Sequence, residues 1–308
     1  MTLHGLLELK RRQPPILSSA GIIFTLKAFC ALARVTSAQT IDTFVAREIA
    51  KLDGDFSALS ADRGMPAACL AYFANDGIAF APLPVNGTKY WASRTEFAGT
   101  LVWQPIFAAV AAAGDLGYTT GPWELKNKRQ GASLGFGNYV TVWRKQSGGA
   151  WKIALDVGTE NPQPSQAPPP LQVLPADATA GQHPVVEARH NLDKTLHVFT
   201  EEARRGIGGA IVACAADEIR VLRDKSFPAV GLAAAQVILS SEHGKVGRRL
   251  EVTKLSSSGD LCYTYGKYSE ERGNLSERGI YVMIWRLDLN SDWKIVFDLQ
   301  KKLRPDNS

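Results

Sequence analysis

Apolar residues recur along this chain at two spacings, and the spacing changes part-way through each half. Residues 44–52 and 192–203 carry apolar side chains every three to four positions, which predicts an amphipathic helix in each half. A second short helix is predicted after Pro66, because proline suits the first turn of a helix. Residues 139–143 and 281–285 are aromatic and β-branched on both faces, which predicts strands.

Each half is therefore predicted to begin with helices and to end in a sheet. The Ser-Gly-Gly sequence at 147–149 and the Asn-Ser-Asp sequence at 290–292 predict hairpin turns into the strands that follow. Helices followed by a strongly curved antiparallel sheet form an α+β fold. A strand that is apolar on both faces needs cover on both, so helices would cover one face and a cavity or a partner sheet the other.

The chain repeats itself at the length of a whole small domain. Three blocks recur in the same order: 114–118 as 259–263, with an offset of 145 residues, and 137–144 as 279–286 and 151–156 as 293–298, with an offset of 142. The period is far longer than the 20–50 residues of a solenoid repeat. The sequence therefore predicts a tandem duplication.

The two copies are separated by a proline-rich stretch. Residues 162–184 hold seven of the 16 prolines, which favours extended polyproline II and predicts that this stretch joins neither helix nor sheet. The predicted division is a leader at 1–38, a first domain at 40–160 (copy one), a linker at 161–186 and a second domain at 187–305 (copy two).

The positive charge is concentrated at the N-terminus. The chain of 308 residues has a net charge of +5, of which residues 1–38 carry +4. Basic residues at 10–12, an apolar run at 16–26 and small residues at Thr36 and Ala38 predict a signal peptide cleaved after Ala38, and hence a periplasmic or extracellular protein. The alternative is a leader that stays attached.

The distribution of charge and of apolar residues argues against nucleic acid and membrane partners. Because the rest of the chain is close to neutral, no nucleic-acid partner is expected. No charge-free apolar stretch of about 18 residues occurs, so no stable membrane span is expected either.

Metals and cofactors are not expected. The four cysteines, at 30, 69, 214 and 262, form no Cys-x-x-Cys pair, and none of the five histidines recurs in both copies. Buried free thiols are expected, with a Cys214–Cys262 bridge as the alternative.

The repeated blocks resemble a known superfamily. They read GDLGYTTGPWEL at 114–125, GNYVTVWRK at 137–145 and GAWKIALDVG at 149–158, and they return as GDLCYTYGKY, GIYVMIWRL and DWKIVFDLQ in copy two. YFANDGIAF at 72–80 and ACAADEIRVL at 213–222 precede them. The pattern resembles the nuclear transport factor 2-like superfamily, the cone fold of ketosteroid isomerase and SnoaL-like polyketide cyclases, and within it secreted members.

The resemblance implies a fold and an assembly but no assigned reaction. Single cone domains of this kind commonly dimerise through their sheets, so an intramolecular pseudo-dimer of the two copies is expected. Fold alone does not give function, because one architecture hosts enzymes, binding modules and oligomerisation domains.

Asp156 and Asp298 are the candidate catalytic residues, because each ends an apolar strand at the same place in its copy. A carboxylate in an apolar cavity would have a raised pKa and could act as an acid or base. The alternative is a salt bridge to Arg144 or Arg286. Strict alternation puts Asp156 on the same face as Ala154.

Aromatic residues form the candidate binding set. Rings that line a cone could hold a flat apolar ligand, or they could simply fill the core. The candidates are Tyr118, Trp123, Tyr139, Trp143, Tyr263, Tyr268, Tyr281 and Trp285. At the end of the last strand copy one has Gly158 where copy two has Gln300, so copy one is expected to be the more open.

Three functions remain open at this point. The first is a secreted protein that binds a small, largely apolar molecule in a cone pocket. The second is a cofactor-free isomerase, dehydratase or cyclase that works by acid–base proton transfer. The third is a structural or interaction module without a pocket.

Overall fold

The computed structural model describes residues 19–174, 184–242, 245–272 and 275–303, with side chains from residue 43 onward except at 245, 272 and 275. The chain divides into two units, residues 1–38 and 39–308. The basic cluster of the predicted leader lies outside the described residues, so the leader remains a prediction. Within the described part, no helix has an apolar stretch long enough to cross a membrane.

The described helices are α1 (Ser19–Tyr72), α2 (Gly87–Ala92), α3 (Val185–Ala203), α4 (Ile207–Cys214) and α5 (Leu232–Leu239). The longest helix of each copy precedes its sheet, whereas α2 and α5 lie between strands. Inside α1, Gly64 has a positive φ of 82° and Pro66 follows it, so the helix restarts there as predicted. Asn86 caps α2 by accepting a hydrogen bond from the Lys89 amide at 2.8 Å.

The strands form two sheets. Sheet one contains β1 (Phe73–Phe80), β2 (Pro84–Asn86), β3 (Thr100–Trp103), β4 (Phe107–Val110), β5 (Leu116–Lys126), β6 (Ser133–Lys145), β7 (Trp151–Asn161) and β8 (Gln172–Leu174). Sheet two contains β9 (Ala215–Arg223), β10 (Ala229–Val230), β11 (Lys245–Leu255), β12 (Leu261–Arg272), β13 (Leu275–Leu287) and β14 (Trp293–Lys302).

The two sheets share one strand order. Sheet one runs β2-β1-β7-β6-β5-β4-β8, with β3 also on β5, and sheet two runs β10-β9-β14-β13-β12-β11. The predicted α+β class with two cone domains is confirmed. The sheets are mixed, however, because β1 pairs in parallel with β7 and β9 in parallel with β14.

Part of the proline-rich linker joins sheet one, so the prediction that it takes no part in a sheet is wrong at 172–174. Strand β8 pairs in parallel with β4, and Gln172 donates its amide to the Ile106 carbonyl at 2.9 Å. This is possible because the last proline of the cluster at 168–170 precedes the strand, and residues 172–174 keep their N–H groups. Val173 and Leu174 pack against two different cores.

Three apolar cores explain the strands that are apolar on both faces. One lies between α1 and sheet one and includes Ile49, Phe56 and Trp143. A second, in copy two, includes Leu192 and Trp285. The third combines side chains from both sheets, among them Tyr118, Val140, Tyr263, Val282 and Phe297. In each copy, therefore, one face of the sheet meets helices and the other meets the other copy's sheet.

Two turns add reciprocal hydrogen bonds between the copies. The Ala112 amide donates to the Asp260 carboxylate, and the Ser257 amide donates to the Asp115 carboxylate, both at 2.9 Å. Both pairs of equivalent residues are 145 positions apart, the offset of the first repeated block. The two contacts are thus one contact made twice.

Candidate functional site

A β-bulge in the last strand of each copy decides where the candidate aspartates point. The register between β6 and β7 skips Ala154, and that between β13 and β14 skips Val296. The alternation predicted for Asp156 is therefore wrong, because the extra residue inverts it. Ala154 and Val296 lie in the core between the copies, whereas Asp156 and Asp298 face the helical side of their sheets.

Asp156 lies among partly polar neighbours in copy one. The Thr141 hydroxyl donates to its carboxylate at 2.7 Å. Desolvation raises the pKa of Asp156 to about 6, and the hydrogen bond from Thr141 opposes that rise. The salt bridge considered for it is absent among the described residues, because Arg144 pairs with Asp76 at 2.5 Å instead.

Copy one also buries a carboxyl group that the sequence pattern did not single out. Asp53 of α1 has no exposed surface. It accepts hydrogen bonds from the Tyr139 hydroxyl and, at 3.1 Å, from the Trp103 indole. Thr119 also hydrogen-bonds to it, and Thr119 itself accepts from the Trp143 indole at 2.9 Å. Desolvation raises the pKa of Asp53 to about 7, against the pull of these donors.

Asp298 is ion-paired, with partners that were not predicted. One carboxylate oxygen lies 2.6 Å from Arg223 Nη2, and the other lies 3.9 Å from Arg248 Nη2. Arg286, the partner considered from the sequence, pairs with Glu218. The side chain of Asp298 is fully buried. Of the two alternatives for Asp298, the structure therefore supports an ion pair, while the apolar cavity expected around it is not found there.

The two cone interiors have diverged in their polar chemistry. On β3, Trp103 pairs in register with Trp123, while on β11, Arg248 pairs in register with Tyr268. Trp123 and Tyr268 are 145 residues apart, as are Trp103 and Arg248. Copy two thus carries a guanidinium where copy one carries an indole.

A cleft of about 1130 Å³ opens at the mouth of copy two, where β12 and β14 end and β13 begins. One wall comes from copy one and consists of Phe80, Ala81, Pro82, Tyr90 and Glu160. The floor comes from copy two, is mostly polar and includes Arg223, Glu242, Tyr268 and Gln300. The cleft is therefore built from both copies.

Most of the charged and polar groups of the floor already have partners. Arg223 contacts Glu242 through two nitrogen–oxygen pairs, at 2.6 and 3.2 Å. The Tyr268 hydroxyl donates to Glu277 at 2.8 Å. Gln300 differs: it is 8% exposed, and its amide nitrogen has no hydrogen-bond partner among the described residues. A buried amide that lacks a partner is unfavourable, so a group that accepted a hydrogen bond from Gln300 would stabilise the folded chain.

The eight candidate aromatic residues do not form one site. Tyr118 and Tyr263 lie in the core between the copies. Tyr139 and Trp143 belong to the Asp53 network in copy one. Of the eight, only Tyr268 lines the large cleft.

Of the remaining three candidates, one fills space in copy one and two line a cavity in copy two. Trp123 lies against Gly137 and Gly158, where its indole takes up the space that Gly158 was expected to leave open. Tyr281 and Trp285 line a second, smaller cavity in copy two.

Sequence reasoning missed Asp53, Arg223, Arg248 and Gln300. Asp53 was detectable, because it sits four residues after Ile49 and three before Phe56, on the apolar stripe of a helix. The two arginines and Gln300 carry no comparable signal, since strand position alone does not show which long polar side chain turns inward.

Neither a cluster of metal-ligating side chains nor a disulfide is found in the described part of the chain. No group of three or more His, Cys, Asp or Glu side chains there is placed to hold a metal ion. Cys69, Cys214 and Cys262 are free thiols, so the alternative of a Cys214–Cys262 bridge is wrong for this structure.

The similar solved structures are nuclear transport factor 2-like proteins. No known family and no curated protein matches the chain. A nuclear transport factor 2-like protein of unknown function from Shewanella oneidensis is 12% identical, with a TM-score of 0.32, covering 37% of this chain and 98% of its own.

Two further structures have the same scale of similarity. A ketosteroid isomerase-like protein from Erwinia carotovora is 14% identical, with a TM-score of 0.31, covering 39% of this chain and 97% of its own. A nuclear transport factor 2-like protein with a cystatin-like fold from Novosphingobium aromaticivorans is 14% identical, with a TM-score of 0.32, covering 40% and 86%. These likenesses say nothing about activity, and the function has to be argued from the site.

Proposed function

We propose that this chain binds a small amphipathic organic molecule in the cleft at the mouth of copy two. The observation that carries this is Gln300, which lines a cleft of about 1130 Å³ and whose buried amide nitrogen lacks a partner among the described residues. Ligand sites in proteins are concave and combine apolar walls with a few placed polar groups. The cleft has both features.

The lining favours an amphipathic ligand over the largely apolar one expected from the sequence. Phe80, Tyr90 and Tyr268 offer ring faces to an apolar body. Gln300 offers a donor to a carbonyl or other neutral acceptor. Four basic and five acidic residues line the cleft, and this near balance favours a ligand without a strong net charge.

The test is native mass spectrometry of the full chain purified from its own source, followed by variants. Wild type should retain a small molecule, and Gln300→Leu should lose it or bind it at least tenfold more weakly. Gln236→Leu is the matched control, because Gln236 is exposed on α5 and does not line the cleft. Equal retention by both variants would remove Gln300 from the site, and an empty wild-type protein would count against the binding function.

We also infer that the two copies form an intramolecular pseudo-dimer. The support is the core that draws side chains from both sheets, together with the reciprocal contacts of Asp115 and Asp260. A compact particle of 270 residues has a radius of gyration of about 18 Å. X-ray scattering of the full chain after leader removal should give that value, whereas two separate beads would give a clearly larger one.

Secretion is part of the proposal and rests on the sequence of residues 1–38. N-terminal sequencing of exported protein should find Gln39 as the first residue. A cytoplasmic product that still begins at Met1 would contradict it. A structural module without a pocket is the less favoured alternative, because the cleft exists.

Acid–base catalysis in copy one is a second candidate. The observation that favours it is the pair of carboxyl groups, Asp53 and Asp156, whose desolvation raises their pKa values to about 7 and about 6 beside Tyr139. Such groups are suited to cofactor-free proton transfer near neutral pH. Incubation with a panel of cyclic ketones in D2O, followed by NMR, should then show deuterium exchange that Asp156→Asn abolishes. No exchange above buffer would exclude this candidate for that substrate class.

A further inference from the structure

Arg248 is a buried cation whose hydrogen bonds are incomplete. Its side chain is 3% exposed, and it stacks on Tyr281 with its guanidinium carbon 4.4 Å from the ring centre. Nη1 contacts the Met283 sulfur at 3.0 Å. Nε and Nη2 have no hydrogen-bond partner among the described residues. A buried guanidinium in this state is unfavourable unless something accepts from it.

The carboxylates near Arg248 lie closer to the neighbouring Arg223. Asp298 is 2.6 Å from Arg223 but 3.9 Å from Arg248, and Glu242 also pairs with Arg223. Both carboxylates therefore lie on the Arg223 side. Desolvation lowers the pKa of Arg248, whereas the carboxylates outweigh desolvation at Arg223 and raise its pKa.

Arg248 lines a separate small cavity between α3 and β11. The cavity holds about 30 Å³, and Leu196, Thr264 and Trp285 also line it. About 10–15 Å³ of such space is enough for one water molecule, so the cavity has room for a single small ion. The Trp285 indole donates to the Thr264 oxygen at 3.2 Å, so the hydroxyl proton of Thr264 is directed elsewhere.

In copy one, a carboxylate accepts the hydrogen bonds that have no acceptor around Arg248 in the described part of the chain. There, the equivalents of Arg248 and Thr264 are Trp103 and Thr119, and both hydrogen-bond to the Asp53 carboxylate. Phe56 packs edge-on against Trp103, as Phe199 packs beside Arg248.

The position equivalent to Asp53 follows from that packing. Asp53 lies three residues before Phe56, and three residues before Phe199 is Leu196. Copy two has therefore kept the donors and lost the carboxylate.

We propose that the cavity between α3 and β11 binds one halide-sized inorganic anion, held by Arg248 and Thr264 where copy one has the Asp53 carboxylate. The site is distinct from the large cleft, which Arg248 does not line, so this proposal stands or falls independently of the proposed function.

The first test is thermal unfolding of the full chain in chloride and in gluconate at equal ionic strength. Binding to the folded state alone stabilises it by mass action. At a chloride concentration ten times the Kd, the melting temperature should rise by roughly 2–4 °C, and the rise should saturate. Sulfate should not reproduce the saturable effect.

Three variants make the test specific. Arg248→Met should abolish the chloride dependence, and Leu196→Asp should abolish it by restoring an internal carboxylate. Arg249→Met is the matched control, because Arg249 is its exposed neighbour on β11, and it should behave like wild type. A chloride effect that persists in Arg248→Met would overturn the proposal.

Crystals of wild type soaked in bromide provide a second test that does not depend on any variant folding. An anomalous peak within hydrogen-bond distance of Arg248 Nε or Nη2 would support the site. Density there without an anomalous signal would identify water and refute the proposal.

Discussion

Replacing Asp53 by Asn should change how stability depends on pH. Asp53 is fully buried, and its pKa rises from 3.8 to about 7 because burial disfavours the ionised form. Between about pH 4 and 7 the folded chain keeps a proton on Asp53 that the unfolded chain has released. Since the folded state binds more protons in that window, the free energy of unfolding falls as the pH rises through it.

The size of the effect follows from the pKa change. Each pKa unit corresponds to about 1.4 kcal/mol, so the change at Asp53 corresponds to about 4 kcal/mol, all of it lost above pH 7. Asn keeps the shape of the side chain and removes the ionisation. It also disturbs the hydrogen bonds from Tyr139 and Trp103, which should lower stability by about 1 kcal/mol at any pH.

We therefore expect Asp53→Asn to be slightly less stable than wild type at pH 4 and about 3 kcal/mol more stable at pH 8. Urea unfolding of both proteins at half-unit steps of pH measures the difference. Asp156 contributes a slope of the same sign, since its pKa is also raised, but this slope is present in both proteins and cancels. Repeating the comparison in an Asp156→Asn background removes its charge from the neighbourhood.

The reasoning would be refuted by a difference between the two proteins that stays constant from pH 4 to pH 8. It would also be refuted if the variant lost stability mainly at high pH. Either result would mean that Asp53 is ionised in the folded state and stabilised by its three donors, despite its burial.

Further substitutions separate the roles of the other aspartates. Asp298→Asn should lower stability by about 3–5 kcal/mol at neutral pH, because it leaves two buried arginines, Arg223 and Arg248, with one carboxylate fewer between them. Asp156→Asn should instead hold or gain stability above pH 6. Thermal melts at pH 7.5 compare them, and equal losses would contradict this assignment. Asp260→Ala should lower stability by about 1–3 kcal/mol through the unpaired Ala112 amide and neighbouring hydroxyls. Urea unfolding checks this, and an unchanged midpoint would show that the turn contact contributes little.

Much of the fold was predictable, because the recurring sequence blocks and the spacing of apolar residues can both be seen directly in the sequence. The apolar spacing at 44–52 and 192–203 lies within α1 and α3, and the predicted strands lie within β6 and β13. The hairpin turns also hold, with positive φ values at Gly149 and Ser291.

The site was less predictable, because its parts are brought together by features that leave little trace in sequence. A bulge at Ala154 reverses the side that Asp156 faces, and alternation counts cannot reveal it. The cleft takes a wall from copy one and its floor from copy two. Residues such as Tyr90 and Gln300 therefore line the same cleft although more than 200 positions separate them in the sequence. No motif spans that separation.

Strand β8 has a consequence for solubility. The outer strand of a sheet exposes unpaired backbone groups that can recruit a strand from another molecule and start aggregation. By pairing with β4, β8 covers that edge of sheet one with a segment whose flanking prolines cannot extend a ladder further. Sheet two ends in β11, which pairs only with β12 among the described residues and carries Arg249, Glu251 and Lys254 along its length. Prolines of the linker thus protect this edge of sheet one from pairing with other chains, whereas charged side chains protect the β11 edge of sheet two. If the linker were replaced by a Gly-Ser spacer, β4 would become an apolar, uncharged edge to which other chains could pair.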